Sequence, residues 1–218
     1  MKGGAVMNYN GRYANDSKAA YRLGASVVQM INPILKNDYI ILQTENMDNQ
    51  LAKLLDTLSG IDAIMFNKNG ISGVGLRVQQ IKDKFGRYVA YHTFTIRYSR
   101  STGAETEYAK RKRQIYNAEP SFYPHYTLQA YLDGENKLIS AAFCKTKSIF
   151  DAAIKYEPFD KKASVYLQTA KVDGNKFLVI PYSEIQPIIV LGKSYKKDDY
   201  KIKLFGQQLT INYKTPTP

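Results

Sequence analysis

The chain has 218 residues, with 31 Lys and Arg against 19 Asp and Glu and a formal net charge of +12. At 44% hydrophobic and 23% charged it reads as a globular chain that buries a core without staples, not as a disordered one. A single cysteine, Cys144, excludes an internal disulfide framework, two histidines exclude a Cys/His zinc site, and no stretch approaches the ~20 apolar residues of a membrane span.

The first helix is expected over Lys18–Leu35, capped by Asp16-Ser17, with Ala19, Leu23, Val27, Met30 and Ile34 at helical spacing and Pro33 ending it. Tyr39–Leu42 reads as a short strand. Glu45–Leu58 reads as a second helix with Leu51, Leu54, Leu55 and Leu58 inward, stopped by Gly60. Ile61–Phe66 is a core strand and Asn67-Lys68-Asn69-Gly70 a hairpin turn. Gly73–Gln79 alternates, with Val74, Leu76 and Val78 on one face and Arg77 and Gln79 on the other. Strands follow at Tyr91–Ile96, Tyr126–Leu132, Leu138–Phe143, Val165–Thr169 and Phe177–Ile180. Helices are expected at Glu105–Tyr116 and Ser148–Lys155, a helical turn at Tyr182–Gln186 and a late hairpin at Lys201–Tyr213. The pattern is that of one mixed α/β domain with a C-terminal strand extension.

The positive charge is concentrated. Lys82 to Arg113 holds nine basic residues against three acidic ones, whereas the stretch before Gly60 is nearly balanced. Tyr88, Tyr91, Tyr98, Tyr108 and Tyr116 are interleaved with those charges, among 18 tyrosines and no tryptophan in the whole chain. A basic segment attracts polyanions, and aromatics among Lys and Arg can stack on bases, although tyrosine also suits half-buried strands. Arg97, Arg100, Lys110, Arg111 and Arg113 are the candidate phosphate contacts, because arginine meets phosphate through two hydrogen bonds. A solvated amphipathic helix is the alternative for this run.

Chemistry is suggested one step upstream. Asp62 stands on a core strand, and across the hairpin come Gly73-Val-Gly-Leu-Arg77-Val-Gln79. Glu45, Asp48 and Asp56 share one face of the second helix. Clustered carboxylates are what Mg²⁺ needs, with waters and substrate phosphates completing its shell. Asp62 has a plain structural reading too, paired with Arg77 across the hairpin.

The Gly60-Ile61-Asp62 strand after a helix, the hairpin and the Gly73–Gln79 strand resemble the PD-(D/E)xK nuclease superfamily, as does the order of basic segment, helix, strand and helix through Lys155. The resemblance implies a restriction-endonuclease-like fold: a central mixed sheet flanked by helices in an α/β core over 1–160, and a β-rich extension over 161–218 packed on it. It implies a Mg²⁺-dependent endonuclease of phage or mobile-element type, acting on duplex DNA in the cytoplasm, as a homodimer where both strands are cut. Asp62 matches the first metal-binding aspartate. Arg77-Val78-Gln79 stands where the family has an acid, any residue and lysine. Some members carry glutamine in this motif, which admits Gln79, but Arg77 repels a metal. Either a helix acid such as Glu45 completes the metal site with Asp62, or the fold binds DNA without cutting it. Arg77 or Lys82 would then stabilise the phosphate. A phage protein-interaction module is the third reading.

Overall fold

The computed structural model describes residues 24, 27–29, 31–32, 39–44, 50, 55, 59–68, 70–100, 102–117, 122–159, 163–170, 174–185, 189–193, 200–204 and 207–211. In chain order the strands are β1 (Tyr39–Gln43), β2 (Ala63–Asn67), β3 (Gly70–Gln79), β4 (Ile81–Lys82), β5 (Tyr88–Val89) and β6 (Thr93–Ser99). Helix α1 (Glu107–Tyr116) follows, then β7 (Tyr126–Leu132), β8 (Leu138–Lys145) and helix α2 (Thr146–Lys155). The chain continues through β9 (Tyr166–Thr169), β10 (Lys176–Pro181), a 3₁₀ turn at Tyr182–Glu184, β11 (Ile189–Lys193), β12 (Tyr200–Leu204) and β13 (Gln207–Ile211).

Eight strands make the main sheet, in the order β1-β2-β3-β7-β8-β11-β12-β13. Only β3 and β7 pair in parallel, from Val74↔Tyr126 to Gln79↔Tyr131; the other neighbours are antiparallel. The chain therefore has a mixed α/β fold around a central mixed sheet. A second sheet, β6-β10-β9, and a small β4-β5 hairpin are separate from it.

Period-two alternation gives the main sheet two different faces. Met65, Val74, Leu128, Ala130 and Phe143 point to one side and bury themselves with Val27, Val28 and Ile31. Those three and the helical Gly24 and Gln29 lie in the expected first helix. Asn32 ties this segment to the outer edge of β1: its amide donates to Ile41 O and accepts from Ile41 N, both at 3.1 Å. The opposite face carries Ala142 and Cys144 from β8, packed with Ile149 and Phe150 of α2, Phe94 and Ile96 of β6, Leu178 and Ile180 of β10, and Tyr108 of α1.

Local chemistry explains the boundaries. The β2–β3 turn has Asn67 opposite Gly70, whose φ of 124° no side-chain-bearing residue adopts easily. α1 begins at Glu107, two residues after the expected start, because the Thr106 hydroxyl caps it by accepting from Ala109 N at 3.3 Å. β6 begins at Thr93 because His92 turns through a left-handed φ of 49°. Among the described residues no helix is long and apolar enough to cross a membrane.

Two outcomes follow from this packing. Leu128 is fully buried at the centre of the first core, so Leu128→Ala should lower unfolding free energy by about 2–5 kcal/mol in urea titrations. Cys144 is fully buried and its thiol is pushed up by that burial. Ellman's reagent should leave the native protein unmodified and react with one thiol only as the chain unfolds.

Candidate active site and nucleic-acid interface

Between the two sheets the lining turns polar. On the second face of the main sheet, Asp62 sits just before β2, Arg77 and Gln79 on β3, and Thr127 and Gln129 on β7. The Asp62 backbone N–H donates to Val74 O at 2.9 Å, which extends the hairpin ladder and holds the residue against β3. One carboxylate oxygen, Oδ2, accepts from Leu76 N at 2.6 Å. The expected Asp62–Arg77 pair is not formed. Arg77 reaches across to α1, where its Nη1 lies 2.7 Å from Oε2 of Glu107.

Glu107 is an acid in the first turn of this helix, where the helix dipole alone accounts for it in sequence. Desolvation pushes its carboxyl up, and the Arg77 charge and hydrogen bond, Arg111 and the Arg97 backbone N–H outweigh that, leaving it below the ordinary glutamate range. A sequence signal was present: Glu107 lies four residues before Arg111, so the two share one face of the helix.

Arg111 is buried, 7% exposed. Its Nη1 donates to Gln114 Oε1 at 2.7 Å and its Nη2 to Gly60 O at 3.4 Å. Desolvation lowers its pKa, opposed by the charges of Glu107 and Asp62. This arginine therefore joins α1 to the turn in front of Asp62. Gly60 is fitted to it: φ is 60°, and a Cβ there would stand 2.3 Å from Arg111 Nη2. The backbone angle favours glycine, and a Cβ would push the end of the Arg111 side chain aside.

Asp62, Glu107, Arg111 and Gly60 line two adjoining spaces. One is an inner cavity of about 130 Å³ that runs back to Thr95, Thr127 and Gln129. The other is an outer pocket of about 450 Å³ rimmed by Arg100, Glu105 and Lys110. Gln129 is fully buried, and its Oε1, with Thr95 Oγ1, has no hydrogen-bond partner among the described residues.

The remaining expected site residues divide. Arg100 and Lys110 stand on the outer pocket and make no salt bridge among the described residues; desolvation and the charges of Arg111 and Arg113 lower the Lys110 pKa, and Glu105 opposes them only in part. Arg113 is exposed on the same helix and pairs with Glu105 at 3.0 Å. Arg97 lies over the Phe177 ring at 5.6 Å. Gln79 accepts from Gln129 Nε2 at 3.3 Å. Lys82 lies over the Tyr88 ring on the β4–β5 hairpin, and lines neither of these two spaces. Glu45, Asp48 and Asp56 lie outside the described residues. The structure thus brings Asp62, Arg77, Arg100, Lys110 and Arg111 to one place, adds Glu107, and sets Lys82 and the Arg97 side chain elsewhere. No family model, curated protein or solved structure matches the chain.

The Arg77–Glu107 pair should couple by about 0.2–1 kcal/mol in a double-mutant cycle at neutral pH, because both side chains are partly in water. Glu107 has a folded pKa below its unfolded one. Its contribution is therefore present above the unfolded value and is lost as pH falls through the folded value. The same cycle repeated in acid should give no coupling. Gly60→Ala should destabilise the fold by about 1–3 kcal/mol, read by thermal melting, because it forces a left-handed alanine and displaces Arg111.

Proposed function

We propose that the chain binds duplex DNA and cleaves it as a PD-(D/E)xK-type endonuclease, with Mg²⁺ held by Asp62 and Glu107. The observation carrying this reading is that two carboxylates, from the start of β2 and from α1, line one pocket whose rim bears Arg100 and Lys110. Mg²⁺ characteristically takes one or two carboxylates and completes its shell with waters and substrate phosphate oxygens, so this donor set fits. Glu107 then stands for the acid that β3 lacks. When bound, the metal activates a water and neutralises charge on the phosphodiester.

The protein's own residues divide the remaining work. Arg77 holds the Glu107 carboxylate at 2.7 Å and so fixes its position. Arg111 braces the Gly60 turn and with it the backbone leading into Asp62. Arg100 and Lys110 hold the phosphates on either side of the scissile bond, which sets register without reading sequence. A homodimer supplies the second site needed to cut both strands.

A non-catalytic DNA-binding protein on the same scaffold is the second reading. It is favoured by the Arg77–Glu107 pair itself, which already neutralises one of the two acids. Incubating supercoiled plasmid with and without Mg²⁺, with cleavage and mobility shift read together, separates the two. The nuclease reading expects nicking only with Mg²⁺, lost in Asp62→Ala and in Glu107→Gln while the shift persists. A shift without nicking in the unaltered protein selects the second reading, and no shift at low salt overturns both. Arg100→Ala and Lys110→Ala should each weaken binding to all sequences alike and reduce the slope of log K against log salt by about 0.9.

A further inference from the structure

A second opening lies farther along β3, on the same face as Arg77. It is a cleft of about 430 Å³ between the end of the main sheet and the three-stranded sheet. Its lining contains no Lys, Arg, Asp or Glu, in contrast to the charged pocket beside Asp62. Tyr91 and Tyr166 line it as residues 55% and 37% exposed, together with Phe177 and the buried Tyr131. Large aromatic surface left in water at a concave site marks a place where a planar group can be covered.

The polar groups among these rings are neutral. Tyr131 is fixed, its hydroxyl donating to Thr93 O at 3.0 Å. Gln79 has its Oε1 engaged by Gln129, while its amide N–H groups make no hydrogen bond among the described residues. Gln168 stands beside Phe177 across the β9–β10 pair. Thr95 Oγ1 is buried without a partner among the described residues, and Thr95 also lines the inner cavity behind Asp62. Aromatic faces with neutral donors and acceptors at their edges are the requirements for holding an unstacked nucleobase, which stacks on a ring and is read along its edge. No charged side chain lines the cleft; the cation at its edge, Arg97, lies over the Phe177 ring at 5.6 Å.

We infer that this cleft takes one unstacked nucleobase, stacked on Tyr166 and Tyr91 and met at its edge by the amides of Gln79 and Gln168. The inference rests on the nucleic-acid reading above and narrows its substrate to strands that offer an unpaired or extruded base. Position supports it: Gln79 follows Arg77 by two residues on one face of a strand, about 7 Å along it, which is the scale of one nucleotide. Arg77 lines the inner cavity, which shares Thr95 with the cleft and Asp62, Glu107 and Arg111 with the charged pocket, so the base site and the backbone site adjoin through it.

The test compares two labelled duplexes by fluorescence anisotropy with the full chain. One carries a single bulged adenine nucleotide and the other an abasic nucleotide at the same position. In parallel, saturation-transfer NMR probes adenosine, which has no phosphate. The expected result is about tenfold tighter binding of the adenine bulge, the scale of one base stacked on an aromatic ring. Tyr166→Ala should reduce the ratio to near one and Tyr166→Phe should restore it, since phenylalanine keeps the ring. Equal affinity of the unaltered protein for the two duplexes overturns the cleft assignment and leaves the backbone-binding reading standing. If neither duplex binds, the DNA reading has failed and adenosine decides: transfer to its base protons, lost in Tyr166→Ala, supports the cleft, and absence of transfer overturns it.

Discussion

Parallel pairing of β3 with β7 is the constraint from which the site follows. An antiparallel neighbour can be reached by a tight turn, but a parallel one requires the chain to return to the starting end before it re-enters the sheet. The return here is the segment between Gln79 and Tyr126. It contains the β4–β5 hairpin, β6 and α1, and with them all nine basic residues of Lys82–Arg113. The crossover lies over the face that displays Asp62 and Arg77. A connection forced by sheet topology thus delivers Glu107 and Arg111 to the start of β2. Neither is near Asp62 in sequence.

The same connection changes the meaning of the charge. A local excess of basic residues reads in sequence as one binding surface, but the folded segment uses its cations in several ways. Arg111 is buried against the Gly60 turn, Lys112 pairs with Glu157 at 2.8 Å and Arg87 with Asp83 at 2.8 Å. Lys82 and Lys84 lie over aromatic rings. Arg100 and Lys110 are left at the pocket rim. Among the described residues of this segment, the cations left at a pocket are fewer than the charge count suggests, and that pocket is the one with the two acids.

Much of the fold was legible because it is written in short-range pattern. The clean alternation of Val74, Leu76 and Val78 against Arg77 and Gln79 identified β3 and its two faces, and Asn67-Lys68-Asn69-Gly70 marked the turn between β2 and β3. What was not legible depends on long-range pairing. Nothing in Thr93–Ser99 or Lys176–Pro181 says that these strands leave the main sheet and pair with each other. Glu107 was passed over for the same reason: a glutamate in a first helical turn has a sufficient local explanation in the helix dipole, and only the crossover gives it Arg77 as a partner. Arg111 was taken for a surface cation because its neighbours Lys110 and Lys112 are basic, yet a helix turns ~100° per residue and buries one of three consecutive side chains. The β4–β5 hairpin was missed although Asp83 and Gly86 mark its turn, because strands of two residues show no alternation, and β11 was missed with it.

The polar gap between the sheets needs a physical reason, since both flanking cores are apolar and an apolar filling would have been simpler. Main-sheet alternation supplies only part of one. Thr127 and Gln129 face the gap because Leu128 and Ala130 face the first core, but period two fixes the side and not the chemistry. Arg77, Gln79, Gln129, Thr95 and Glu107 are all polar where Val, Leu or Ile would satisfy a strand or helix equally well. A buried arginine and a buried glutamine whose oxygen has no partner among the described residues cost stability that well-packed aliphatic residues would not. Such groups persist where they hold something in a fixed geometry. In this fold they bracket two openings of different character, a charged one around Asp62 and a neutral aromatic one beyond Gln79, joined through Thr95. Charge is thereby confined to one end of the gap, and the aromatic end carries only neutral polar side chains among its lining residues.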